Sequence, residues 1–271
     1  AALDREYEKQ PCDDETVKAV AAWAGVKGKL VLRKQQREPD GLIFAAACKA
    51  MPNAPDTTIA AIAFGPLYDQ ESGRDVGEQL RVVALVEAGK VVAGNRSTIE
   101  EGAITVMVNK YRIDTARYIL SKDVRAFGVV FSYMSSNFRC AEGGNDDYLT
   151  LWIREGENLR ALFQTNLDGW GMVDGGCEFD EMVGLIERAK MTIAIEKTSS
   201  HGFADLAITA QVKQDRCTRD DSSEYGSGYD CQDAGKRTFR RVVKYNGQSY
   251  GEDYWWPPAD RRRFDCGTSC P

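Results

Sequence analysis

Histidine is nearly missing from this 271-residue chain, where His201 stands alone. A single histidine leaves no set for a His-rich zinc site, and any acyl-transfer triad would have to run through it. Ser199 and Ser200 sit too close to it in sequence for adjacency to mark a triad, so His201 reads as a polar turn residue. No apolar run approaches the roughly 20 residues that carry a helix across a bilayer, which predicts no transmembrane segment. Gly143-Gly144, Gly175-Gly176 and Gly226-Ser227-Gly228 lack the Gly-Lys-Ser/Thr ending of a phosphate loop and read as turns. Net positive charge is absent too. Asp and Glu number 41 against 35 Lys and Arg, giving -6 overall and a pI near 5.1. A general nucleic-acid binder needs a concentrated basic surface, so nucleic acid is not the expected partner.

What the chain does have is cysteine. Cys12, Cys48, Cys140, Cys177, Cys217, Cys231, Cys266 and Cys270 make an even set in Gly-, Asp- and Ser-rich surroundings, with no CxxC pair for zinc or redox chemistry. That predicts disulfides and an oxidising compartment. Close spacing favours Cys217 with Cys231 and Cys266 with Cys270, and local closure favours Cys12 with Cys48 and Cys140 with Cys177, out of about a hundred formal pairings. The start Ala1-Ala2-Leu3-Asp4 reads as the new end of a processed secretory protein, and Asn95-Arg96-Ser97 matches a glycosylation sequon.

The hydrophobic pattern predicts a mainly β fold, an antiparallel β-sandwich or an irregular β-propeller-like architecture, with a short N-terminal helix and one additional helix. Asp13 or Asp14 caps the first helix, Val17, Val20, Ala21 and Ala24 form its apolar stripe, and Gly25 stops it. Strands are expected over 30–32, 41–48, 57–64, 80–86, 90–93, 103–108, 111–113, 126–131, 148–153, 159–163, 191–195, 206–210 and 238–245. Met182, Leu185, Ile186 and Ala189 recur at helical spacing and predict the second helix within 178–190. Asn246-Gly247 signals a type I′ hairpin returning into 248–250. A break near 170–176 divides the chain into an N-terminal domain, 1–172, and a disulfide-stabilised C-terminal domain, 173–271.

Candidate site residues concentrate in the second part. Asp220, Asp221, Glu224 and Asp230 offer hard oxygen ligands on a glycine-containing excursion, which suits calcium; no other cofactor is expected and none is required. Ser227 and Tyr229 lie on the loop that a Cys217 to Cys231 bridge would hold out for a protein partner. Arg240 and Arg241, with Tyr254, Trp255 and Trp256 nearby, mix cationic and aromatic groups as a surface for an acidic protein or a glycan would. No catalytic residue is assigned, and the paired carboxylates read as solvated charges.

The stretches 113–118, 124–129 and 149–153 are similar to segments of secreted proteobacterial proteins. Gly202 to Leu206, followed by Tyr245-Asn246-Gly247-Gln248-Ser249-Tyr250, resembles a segment of periplasmic immunity and lysozyme-inhibitor-like proteins. Together these cover about half the chain. The resemblance implies a periplasmic or secreted protein of a Gram-negative bacterium, not an enzyme, that neutralises a secreted toxin or a cell-wall hydrolase by forming a complex. The alternatives are an envelope carbohydrate-binding protein and a carboxylate-dependent glycoside hydrolase.

Overall fold

The computed structural model describes residues 10–34, 41–65, 67–69, 74–76, 79–99, 105–134, 143–178, 181–220 and 228–254. The chain divides into two units, one of Ala1–Ser136 with Leu149–Phe163 and one of Asn137–Tyr148 with Gln164–Pro271. The architecture is mainly β, with one N-terminal helix among the described residues.

That helix, α1, spans Asp14–Ala24 and ends where its sequence says it should. Asp13 caps it, its Oδ1 accepting the Thr16 N–H at 2.7 Å, which satisfies one of the orphan donors of the first turn. Gly25 takes a φ of 75°, letting the N–H groups of Gly25 and Val26 close back on the carbonyls of Ala22 and Ala21. Arg96 donates to the Ala24 carbonyl at 3.3 Å, placing a cation at the negative end of the helix dipole.

The helix packs on strands of the first unit. Its strands are β1 (Ile43–Met51), β2 (Ala54–Phe64), β3 (Leu67–Asp69), β4 (Arg74–Val76), β5 (Gln79–Glu87), β6 (Lys90–Ile99), β7 (Thr105–Ile119) and β8 (Arg125–Met134). To these it adds residues 149–155 of β9 (Gly143–Glu155) and 158–163 of β10 (Asn158–Glu178). Pairing runs β1-β2-β5-β6-β10, with β9, β8 and β7 following in turn from β10, while β3 and β4 form a small sheet of their own. Alternate residues of β5 face opposite ways. Val82, Ala84 and Val86 join Ala60, Ile62 and Phe64 of β2 under the helix residues Val20, Ala21 and Ala24. Burial of each valine contributes roughly 1.5–3 kcal/mol. The opposite side of β2 and β5 is buried as well, so both strands read as almost unbroken apolar runs.

Two devices tie the chain ahead of the helix to this unit. Cys12 bonds Cys48 of β1 as expected, closing a 36-residue separation. Gln10 accepts the Cys48 N–H on its own carbonyl, while its side-chain amide donates to the Ile113 carbonyl and accepts the Ile113 N–H. A single glutamine therefore bonds to both β1 and β7. The strand expected over 30–32 reduces to one bridge, Leu32 with Ile43.

The second unit holds the remainder of β10 with β11 (Glu181–Ser200), β12 (Phe203–Asp220), β13 (Gly228–Val243) and the short β14 (Gly251–Glu252). The first four pair antiparallel in chain order. The sheet has an apolar face, carrying Ala189, Met191, Leu206, Ile208, Ala210 and Val212, and a polar one, carrying Arg188, Lys190, Gln211 and Lys213. Cys217 and Cys231 are directly paired across β12 and β13 and form the expected disulfide. The expected partners of Cys140 and Cys177 and of Cys266 and Cys270 lie outside the described residues or side chains.

Two expectations fail here. The segment 178–190 is not a helix: from Glu181 onward it belongs to β11, paired on both sides. Its apolar residues at 182, 185, 186 and 189 keep helical spacing and fall on both faces of the strand, but the β-branched continuation through Thr192, Ile193 and Ile195 and two pairing neighbours override that local period. Nor does Asn246-Gly247 form a type I′ hairpin. Gly247 takes a φ of 97° while Asn246 keeps an ordinary φ, and the Asn246 side chain accepts the N–H groups of Gln248 and Ser249, each at 2.8 Å. That local bond competes with a ladder, and β13 has already ended at Val243. The tight turns with two positive φ values are Ala88-Gly89, at 47° and 70°, and His201-Gly202, at 49° and 88°. His201 is thus the exposed turn residue expected of it.

Beside that turn, Asp205 of β12 is buried, its Oδ2 accepting the Thr198 hydroxyl at 2.7 Å. Hydrogen bonds from Thr198 and Ser200 hold its carboxyl below the ordinary carboxylate range. A carboxyl more acidic in the folded chain than in the unfolded one stabilises the fold above about pH 4, and that stabilisation is lost as pH falls through its folded value. Urea unfolding from pH 3 to 7 should therefore show Asp205→Asn flattening the acid limb of the stability curve; an unchanged limb would assign the acid sensitivity to other groups.

Candidate ligand cleft

The alternation that sends Val82, Ala84 and Val86 of β5 toward the helix sends Arg81 and Val83 to the other side. Across the ladder Arg81 pairs with Ser97 and Val83 with Asn95, so these four share a face. Tyr111 of β7 pairs with Phe131 of β8, and Val129 lies two residues before Phe131 on the same side. With Thr150 and Trp152 of β9 these residues line a cleft of about 310 Å³, its open mouth included. All of them belong to the first unit.

The walls are apolar and aromatic. Val83, Tyr111, Val129 and Phe131 are buried, and the Tyr111 and Phe131 rings meet edge to face with centroids 6.2 Å apart. The Arg81 guanidinium lies 5.3 Å from the Phe131 centroid, within reach of the ring's negative face. Burial pushes the Tyr111 hydroxyl up to about 12, with the Arg81 charge pulling the other way, so Tyr111 stays protonated at neutral pH. The Asn95 amide donates to the Leu159 carbonyl at 3.2 Å. The sequon at 95–97 therefore places Asn95 and Ser97 in the cleft lining, with the acceptor nitrogen already engaged.

Two donors stand out. Arg81 Nε and Trp152 Nε1 are both buried, and neither has a hydrogen-bond partner among the described residues. Folded proteins leave few such groups, because a buried donor without an acceptor forfeits about 1–3 kcal/mol. Here two of them line one cleft, together with the polar side chains of Ser97 and Thr150.

The residues singled out in sequence fall elsewhere. Asp220 ends β12 opposite Gly228; Asp230 is exposed on β13, its carboxylate accepting from Gln232 at 3.5 Å. Asp221, Glu224, Ser227, Trp255 and Trp256 lie outside the described residues, and of Tyr229 only the backbone is described, opposite Arg219. Among the described residues no group of three or more His, Cys, Asp or Glu is placed to hold a metal ion. Arg240 and Arg241 are neighbours on a strand and so point to opposite faces. Arg240 forms an ion pair with Glu196, whereas Arg241 forms one with Asp253. Tyr254 donates to Gln164 Oε1 at 3.1 Å and packs on the Tyr148 ring.

Gly247-Gln248-Ser249-Tyr250-Gly251 matches the nucleophile-elbow pattern in sequence. An elbow joins a strand to a helix, but this segment follows β13 through a turn into β14, and Ser249 Oγ accepts the Gly251 N–H at 3.2 Å. A Cβ placed on Gly247 would sit 4.0 Å from His201 Nδ1, yet no hydrogen bond joins His201 to Ser249 among the described residues. The pattern is here a turn. The signal for the cleft was Arg81 itself, a charge inside the apolar run Leu80 to Val86, with Trp152 in the corresponding run of β9.

Comparison with known proteins yields no match: no family model fits the chain, and no curated protein or solved structure is significantly similar to it.

If the Arg81 guanidinium is held for a ligand rather than for the fold, Arg81→Met should leave the ligand-free protein as stable as the wild type or up to about 1 kcal/mol more stable, since it removes an unpartnered buried donor and keeps the aliphatic stem. Equilibrium unfolding measures this. A loss above about 2 kcal/mol would make the guanidinium a structural group.

Proposed function

We propose that the chain is a binding protein whose first unit holds a small, acceptor-bearing ligand in the cleft between β5, β6, β7, β8 and β9. The observation that carries this reading is the pair of buried donors, Arg81 Nε and Trp152 Nε1, without partners among the described residues. An acceptor seated between them recovers what their desolvation costs, and the apolar walls contribute area while fixing orientation. Most of the cleft's volume is open mouth and the enclosed part holds about one water, so it admits the polar head of a small molecule whose remainder lies in the mouth. Ligand-observed NMR of a fragment library against the wild type and the Arg81→Met/Trp152→Phe double variant tests this. Acceptor-bearing fragments should bind the first and not the second; binding of the same fragments to both would remove the cleft from the account.

A second reading is supported by the Cys217–Cys231 cross-link. It joins residues directly opposed across β12 and β13, where Asp230, Cys231, Gln232 and Asp233 are all exposed, and so pre-orders an accessible strand end at low entropic cost on binding. In this reading the chain works in the periplasm or outside the cell, and that end of the sheet contacts a secreted toxin or cell-wall hydrolase. Affinity capture from envelope and secreted fractions, using wild type and Cys217→Ser/Cys231→Ser side by side, checks it. A toxin or hydrolase should be retained by the wild type and lost from the variant, and equal retention would detach the partner from this element.

A further inference from the structure

We propose that the ligand of the β5 to β9 cleft is a small free monocarboxylate, its two oxygens accepting from Arg81 Nε and Trp152 Nε1. This rests on the cleft reading above and adds the charge and the geometry of the ligand. The cleft lining carries one charged side chain, Arg81, and no Asp or Glu. No ion pair neutralises that guanidinium among the described residues; its neighbours are the Phe131 ring and the protonated Tyr111. A half-buried cation on a largely apolar wall, without a counter-charge among the described residues, favours an anion more strongly than it would in open water. A guanidinium is a planar donor fork suited to carboxylate, and the indole N–H supplies a second donor of fixed direction.

The number of charges chooses among anions. A phosphate at neutral pH brings about one and a half negative charges against one cation and has more oxygens to satisfy than a carboxylate does, while Val83, Val129 and Phe131 would face them with carbon. A monocarboxylate balances Arg81 one to one, offers its oxygens to the two unpartnered donors, and leaves a short aliphatic chain in the open mouth. Ser97 and Thr150 remain for the outer lone pairs of the same group.

The chain carries its own reporter. In ¹H–¹⁵N spectra the indole N–H of Trp152, identified by its loss in Trp152→Phe, moves downfield when it gains an acceptor. Sodium propionate should shift this resonance saturably, propionamide should bind at least tenfold more weakly, and inorganic phosphate should leave it unmoved. Arg81→Met should weaken propionate at least tenfold while keeping a native spectrum, and Arg81→Lys, which retains charge but not the Nε donor, should fall between. If propionamide matches propionate at Trp152, the cleft binds ligands but the carboxylate assignment is wrong. A shift with phosphate and none with propionate overturns it equally. Propionate binding that is untouched by Arg81→Met removes Arg81 from the site. Silence from all three probes, while library fragments still bind in a way that depends on Arg81 and Trp152, defeats the carboxylate and leaves the cleft standing; silence in both experiments defeats both.

Discussion

A strand buried on both faces has no solvent side on which to carry a charge, and β5 is such a strand. One face lies under α1 through Val82, Ala84 and Val86; the other turns Val83 and Leu85 inward. Everything about the first unit follows from covering both sides of β2 and β5: a helix on one, and on the other the cleft strands β7, β8 and β9. Arg81 sits at the end of that doubly covered run, half-buried, where its stem packs and its head meets Phe131. The cation is therefore informative in a way that the many exposed charges of the second unit are not.

The same two-sided covering explains how the unit is held at its ends. β1 and β7 are the terminal strands of its pairing path, and each would leave backbone groups unmet. Gln10 meets some of them with one residue, its main chain on Cys48 and its side-chain amide on both polar groups of Ile113. The Cys12–Cys48 bond then fixes the segment that presents Gln10 and, three residues on, the aspartate that caps α1. On a chain-entropy account a closure of this length contributes about 4 kcal/mol, and it serves helix placement and strand-end satisfaction at once.

How much of this was legible depends on whether the deciding interaction is local. The helix was, down to its cap and its stop, because Asp13, the stripe from Val17 to Ala24 and Gly25 act within a dozen residues. So were most strands and the two described disulfides. The helix expected before Lys190 failed because the helical spacing of Met182, Leu185, Ile186 and Ala189 is overridden by pairing with β10 and β12, which lie on either side of the segment. Asn246-Gly247 failed for a different reason: the asparagine spends its side chain on the backbone ahead of it instead of turning left-handed. The cleft was hidden because Arg81, Ser97, Tyr111, Phe131 and Trp152 come from five strands, and only register brings them together.

The attention that basic and aromatic residues near the C-terminus attract in sequence shows the limit of reading charge by composition. Arg240 and Arg241 look like one patch, but strand geometry sends them to opposite faces, and each is matched by its own carboxylate. Arg237 likewise pairs with Glu187, a fully buried acid that also accepts from Gln214. Removing Arg237 would leave Glu187 buried without its cation, so that arginine is committed to the sheet. Arg81 differs: among the described residues no acid pairs with it, and Trp152 Nε1 likewise has no hydrogen-bond partner there. Two such donors in one apolar cleft are groups that an acceptor-bearing ligand would meet, which ties the candidate function to the physics of buried hydrogen-bonding groups.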